Sequence, residues 1–275
     1  MMEPAPSRPV TPPSRRMYLL VTLFAFALVL MPFLFWQQTW FGRKLSDAQI
    51  ERSLAETTKP RESQHALVQI GEHLSRGDKS VRRWYPRVIA LAVHPALELR
   101  QTAAWIMGQD REYDSFREPL HKLLLDPEPM VRRNAALALA NFHDESARGE
   151  LRAMLMPSSI ESPAAGVVKY RLKEGEFVNP GTLVARVGSV EVRAKLPGEV
   201  RSRRKPDGAP VAAGDPLAEI SAGHEHVWEA LRALFLIGQT EDLELVERYS
   251  RAVPGMPDKL RQQAVFTARA IQDRK

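Results

Sequence analysis

The sequence predicts a multidomain chain in which stacked all-α repeats are interrupted by one small all-β insertion and preceded by a single transmembrane helix. Three observations carry that prediction. Residues 17–36 run for twenty positions without a charge; the region beyond residue 46 repeats itself at offsets of 37 and 32 residues; and between residues 160 and 220 helical periodicity gives way to regularly spaced Gly, Pro and Val. Composition agrees. With 275 residues, 44% apolar and 26% charged, the chain can bury a sizeable core and is neither wholly disordered nor a multi-span membrane protein. The absence of Cys excludes a disulfide framework, a thiolate metal site and a cysteine nucleophile. A net charge of +6 is compatible with many partners.

The first element, residues 1–16, holds five prolines and three arginines with almost no large apolar side chain, and predicts a disordered basic, Pro-rich head. Residues 17–36, MYLLVTLFAFALVLMPFLFW, then supply the length a helix needs to cross a roughly 30 Å hydrocarbon core. The aromatic exit through Trp36, Trp40 and Phe41 lacks the small residues of a signal-peptide cleavage site, so the segment reads as an uncleaved anchor, with Tyr18 at its other end and Pro32 near its close. Arg8, Arg15 and Arg16 precede it and Arg43, Lys44 and Arg52 follow. Because Arg15 and Arg16 abut the apolar run directly, the N-terminus is expected in the cytoplasm and the domains beyond the anchor in the periplasm of a bacterial inner membrane.

Helical repeats are expected over residues 46–157 and again over 223–275. Gln64–Gly71, Gln101–Gly108 and Arg133–Ala140 align, and His94-Pro95 precedes Leu99-Arg100 as Asp126-Pro127 precedes Val131-Arg132. Each Pro is expected at a helix start, where its missing N–H is harmless. Apolar helices at 84–93 and 116–125 come before these turns, giving a unit of helix, Pro-bearing turn, helix. Ala103, Ala104, Ala135 and Ala136 permit close helix approach, and each unit can bury its apolar stripe only against the next. The unit resembles HEAT and related α-solenoid repeats, which implies an interunit bonding role for Arg100 and Arg132. Ile237-Gly238-Gln239 and Leu260–Val265 repeat the pattern near the C-terminus, so residues 144–156 and 227–239 form the two helices of one repeat whose short turn has been replaced by a long insertion.

That insertion, residues 158–222, is internally doubled. Gly166, Gly175, Val178, Gly181, Val184 and Val187 are matched by Gly198, Gly208, Val211, Gly214, Leu217 and Ile220, which predicts two strand-turn-strand halves related by a pseudo-two-fold. The segment resembles a biotinyl/lipoyl-type domain, the barrel-sandwich hybrid. In carrier members of that family a lysine on the hairpin joining the halves takes the cofactor. Here the joining residues 187–192 contain no lysine, Lys195 comes later, and Lys169 and Lys173 fall in the first half. The resemblance therefore implies a packing and assembly module of the kind found in periplasmic adaptors of efflux and secretion systems.

No phosphate-binding loop, nucleophile elbow or zincin helix occurs, and neither a catalytic residue, a cofactor nor a metal site is expected. His224-Glu225-His226 reads as a domain junction, and the acidic pairs Asp144-Glu145 and Glu241-Asp242 read as helix caps. Arg201, Arg203, Arg204 and Lys205 form the densest basic run and are the candidate contact for an anionic partner; without aromatic residues among them, nucleic acid is not expected. The functional expectation is a membrane-anchored, non-catalytic scaffold that binds proteins through the repeats and the insertion. An accessory subunit of an efflux or secretion assembly, or a biotin- or lipoate-type carrier, are the alternatives.

Overall fold

The computed structural model describes residues 15–38, 43–251 and 255–274, with the side chains of residues 34–38 outside the description. The expected head therefore lies outside it up to residue 14, as do Trp40 and Phe41. The chain divides into two units, residues 1–47 and 48–275.

In the first unit, α1 spans Arg15–Gln38, so Arg15 and Arg16 are the opening turn of the helix rather than the end of the head. Pro32 lies inside it without ending it. The described side chains of α1 bury nothing in their own unit, and it is the one helix among the described residues long and apolar enough to cross a membrane.

In the second unit five helix pairs stack among the described residues. They are α2 (Asp47–Ala55) with α3 (Pro60–Ser75), α4 (Tyr85–Leu91) with α5 (Leu97–Met107), α6 (Arg117–Leu123) with α7 (Pro129–Asn141), α8 (Arg148–Met154) with α9 (His224–Ile237), and α10 (Leu243–Glu247) with α11 (Asp258–Gln272). The second helix of each pair packs on the second helix of the next, from α3 through α11, forming one continuous layer. Pro95 and Pro127 sit in the intra-pair turns, two residues before α5 and α7, and not at the helix starts; Pro129 occupies the first turn of α7. Small residues set the layer's close approach. A Cβ on Gly108 would lie 2.8 Å from Ala138 Cα, and one on Gly71 would lie 2.3 Å from the Trp105 ring. Leu67, Ile70, Leu99, Ile106, Met107 and Leu139 are fully buried between the layers, each worth about 1.5–3 kcal/mol of transfer free energy.

Residues 155–223 connect α8 to α9 through eight strands: β1 (Ser158–Glu161), β2 (Gly166–Tyr170), β3 (Phe177–Val178), β4 (Leu183–Val187), β5 (Val190–Arg193), β6 (Gly198–Arg203), β7 (Pro210–Val211) and β8 (Pro216–Ile220). They form two four-stranded antiparallel sheets, ordered β1-β8-β6-β3 and β5-β4-β2-β7. Advancing every strand number of one sheet by four yields the other, so each half lends its short strand to its partner's sheet. This is the physical meaning of the doubled sequence. Gly175 and Gly181 in the first half, and Gly208 and Gly214 in the second, all have φ between 80° and 88°, where a Cβ would be strained. Val168, Val178, Val184 and Val187 meet Val200, Val211, Leu217 and Ile220 in a core made only of the insertion's own residues. Ser158 pairs with Ile220, so the chain enters and leaves the insertion side by side.

Candidate partner-binding surface

Aligning the five inner helices places one apolar residue at the same repeat position in each: Val68, Trp105, Leu137, Phe235 and Phe266. Their neighbours along each helix are buried, whereas Trp105 is 41% exposed, Phe235 42% and Phe266 55%. Leu137 is half-buried and Val68 exposed. A groove of about 990 Å³ runs over α5, α7, α9 and α11 with four of these side chains in its wall, interspersed with Gln109, Asn141 and Gln263. An apolar row held open across four helices, rimmed by amides and charges, is the form an interaction site takes on a soluble surface. A second cleft, of about 790 Å³, lies along the intra-pair turns, where Val93 and Leu125 project almost fully into solvent.

Polar clasps hold the rungs at fixed spacing. Asn134 Nδ2 donates to Gln101 O at 3.0 Å and Asn141 Nδ2 to Gly108 O at 3.1 Å, tying α7 to α5, while Thr267 Oγ1 donates to Leu231 O at 2.8 Å, tying α11 to α9. Arg274 donates to the last carbonyls of α9, including Gly238 O at 2.9 Å. Each such bond contributes about 0.5–1.5 kcal/mol.

Arginine–aspartate pairs add a second set of clasps. Arg100 Nε donates to Asp126 Oδ2 at 2.7 Å across adjacent repeats, and its Nη1 to His94 O and Pro95 O. Arg132 likewise donates to Asp126 O and Pro127 O in its own turn, but its carboxylate partner is Glu150 on α8 at 3.2 Å. Both arginines thus play the interunit part their position implies. Three further pairs link the first helix of a repeat, or the turn before it, to the turn after the second helix: Arg82 to Asp110, Arg117 to Asp144, and Arg148 to Asp242. Asp242 also accepts from Arg152 at 2.9 Å and from the Gln239 N–H at 2.8 Å, and is fully buried. Burial pushes the carboxyls of Asp110, Asp126 and Asp242 up, but arginine and backbone hydrogen bonds outweigh it and hold all three below the ordinary range. Asp144 and Asp242 are therefore more than helix caps: each is also the acceptor of an interhelix clasp.

The basic run is spread over β6 and the loop after it, and each member has a partner within the insertion. Arg201 and Arg204 pair with Glu219, Lys205 with Asp215 at 3.3 Å, and Arg203 stacks over Tyr170 while donating to Leu172 O. Glu219, Asp215 and Tyr170 come from other strands and loops, so sequence proximity gave no warning of these partners, although two carboxylates offset only part of the four charges. The tip of the β4–β5 hairpin is Gly188-Ser189. His224 opens α9, and burial and neighbouring Arg133 push down the imidazole pKa of His226, in its first turn.

A family model described as HEAT repeats matches residues 85–161. That stretch, α4 through the start of the insertion, is HEAT-like, and repeats of this kind serve protein–protein interaction. A search of curated proteins returned no match. Among solved structures, the crystal structure of an engineered protein from a structural genomics programme aligns with 82% of this chain and 79% of its own, at 15% identity and a TM-score of 0.41.

Proposed function

We propose that this protein is a non-catalytic scaffold, anchored in a bacterial inner membrane by α1, that binds a protein partner in the groove of its inner helix layer. The observation that carries the reading is the row Val68, Trp105, Leu137, Phe235 and Phe266: five repeats place an apolar side chain at one position, four leave it exposed and the fifth, Leu137, is half-buried. The uncharged run of residues 17–36 within α1 supports the anchor, and the two arginines of its opening turn favour periplasmic helical repeats. The two-fold exchange of short strands between the insertion's halves supports a barrel-sandwich hybrid of the biotinyl/lipoyl kind, here a second contact module. The lysine-free β4–β5 tip favours an accessory subunit of an efflux or secretion assembly over a cofactor carrier.

The test is a photo-crosslinking residue installed at Phe235 or, as a control on the opposite layer, at exposed Glu244 of α10, in native membranes. Adducts of defined mass at Phe235 and none at Glu244 are expected; equal labelling at both would sink the groove reading. Protease digestion of a C-terminal tag in spheroplasts tests topology on the same sample, and a protected tag would put the repeats in the cytoplasm. An intact-mass increment matching biotin or lipoate would restore the carrier alternative.

A further inference from the structure

Charge is uneven along the groove. Trp228 on α9 has Arg232 Cζ 4.7 Å and Lys259 Nζ 3.7 Å from its ring centroid, so two cations from α9 and α11 are gathered on one indole. Arg232 lines the groove wall, as does Arg269, one turn beyond Phe266, while Lys259 stands at the start of α11 beside Trp228. Among the described residues, none of the three forms an ion pair with a carboxylate of this chain. This sets them apart from Arg82, Arg100, Arg117, Arg132, Arg148 and Arg152, every one of which is clasped to an acid. Two carboxylates, Glu229 and Asp273, line the same end of the groove; burial and neighbouring Glu225 push the Glu229 carboxyl up, while Arg232 beside it acts in the opposite sense. Stacking on Trp228 fixes the cations in place and lowers the entropic cost of meeting an anion.

The spacing of the apolar row suggests a form for the partner. Stacked helices lie about 8–10 Å apart, and an α-helix presents the same face every seven residues, about 10.5 Å. A helix laid across the layer can therefore set one apolar side chain against each rung. We infer that the groove takes an amphipathic helix of a partner protein whose flank at the α9–α11 end is acidic, with carboxylates meeting Arg232, Lys259 and Arg269. The inference rests on the groove being the partner site and goes further by naming the partner's chemistry.

The experiment uses the full chain in zwitterionic nanodiscs, with empty discs as control, and three labelled 28-residue helical peptides: Leu-faced with Glu flanks, Leu-faced with Lys flanks, and Ser-faced with Glu flanks. Fluorescence anisotropy is expected to show the Leu/Glu peptide binding at least tenfold more tightly than either of the others. Phe235→Ser with Phe266→Ser should weaken it at least tenfold. Arg232→Gln with Lys259→Gln and Arg269→Gln should weaken it at least fivefold and flatten its salt dependence. All five side chains are exposed, and a melting curve on each variant confirms an intact fold. Equal binding of the Lys-flanked peptide, or no effect of the three Gln substitutions, would overturn the acidic partner while leaving the groove as a site. No effect of the two Ser substitutions would overturn both.

Discussion

The repeats built on α6/α7 and on α8/α9 are the same unit with and without an interruption. In the first, Arg117 reaches Asp144 over 27 residues of chain; in the second, Arg148 reaches Asp242 over 94. Both clasps end in the turn after the second helix, which the insertion does not touch. What the insertion displaces is the turn inside the pair, where Asp126 receives Arg100 one repeat earlier. Arg132 accordingly finds no aspartate there and turns to Glu150 on α8. A repeat tolerates a new domain at the turn its essential clasp does not use.

The strongest way to break that comparison is to remove the clasp on the interrupted side. Asp242→Ala would remove the buried carboxylate shared by Arg148 and Arg152, leaving Arg148 the more exposed Glu241 and Arg152 a backbone carbonyl, and is expected to destabilise the helical unit by about 3 kcal/mol, against about 1 kcal/mol for Asp144→Ala, whose partner Arg117 is more exposed to solvent. Chemical denaturation of the two variants measures the difference, and equal losses would mean that the interrupted repeat carries no extra dependence on its clasp.

Acid sharpens the same contrast. Asp110, Asp126, Asp144 and Asp242 all titrate below the ordinary carboxylate range in the folded chain. Their contribution is therefore fully present above the unfolded value near pH 4 and is lost as pH falls through the folded values. The aspartates' share of the stability should be flat from about pH 5 upward and fall below about pH 4, and Asp242→Asn should show a shallower fall there; an identical acid limb in the variant would remove Asp242 from the account.

Replacing residues 158–221 with a three-residue turn of the same sequence as Asp126-Pro127-Glu128 is expected to shift the unfolding free energy of the remaining helices by less than about 2 kcal/mol, because the insertion's core holds none of their residues. Loss of cooperative unfolding would show instead that the β-sheets are part of the helical packing. The smallest effect is at His143, which ends α7 with φ of 55°, where Gly77 ends α3 with φ of 81°. His143→Gly is expected to stabilise by about 0.5–1 kcal/mol, read as a rise in melting temperature.

Much of this architecture is legible in residue order. The offsets of the repeats, the place of the interruption and the doubling within it all follow from local patterns, because helix periodicity and turn glycines act over a few residues. The apolar row was in the same alignment: Val68, Trp105, Leu137, Phe235 and Phe266 share a column. Its exposure could not be read there, since an apolar residue at a helical period is ordinarily core, and only stacking decides which face stays open. The partners of the basic run were hidden for a related reason. Glu219 reaches Arg201 and Arg204 through strand pairing between β6 and β8, and no spacing within the run announces it. The prolines show a smaller displacement, with Pro95 and Pro127 shaping the turn and leaving helix initiation to the residues after them.

The side-by-side pairing of Ser158 with Ile220 also bears on the order in which the chain assembles. Left open, the segment between α8 and α9 is a loop of roughly 70 residues, and closing it is slower and entropically dearer than closing a turn of about 5 by roughly 2 kcal/mol. If the β-sheets form first, their paired ends bring α8 and α9 together as a short turn would, and the late, long-range step becomes a local one. The inserted domain then acts as an internal template for the repeat it interrupts, and refolding of the helices should wait on the folding of the sheets.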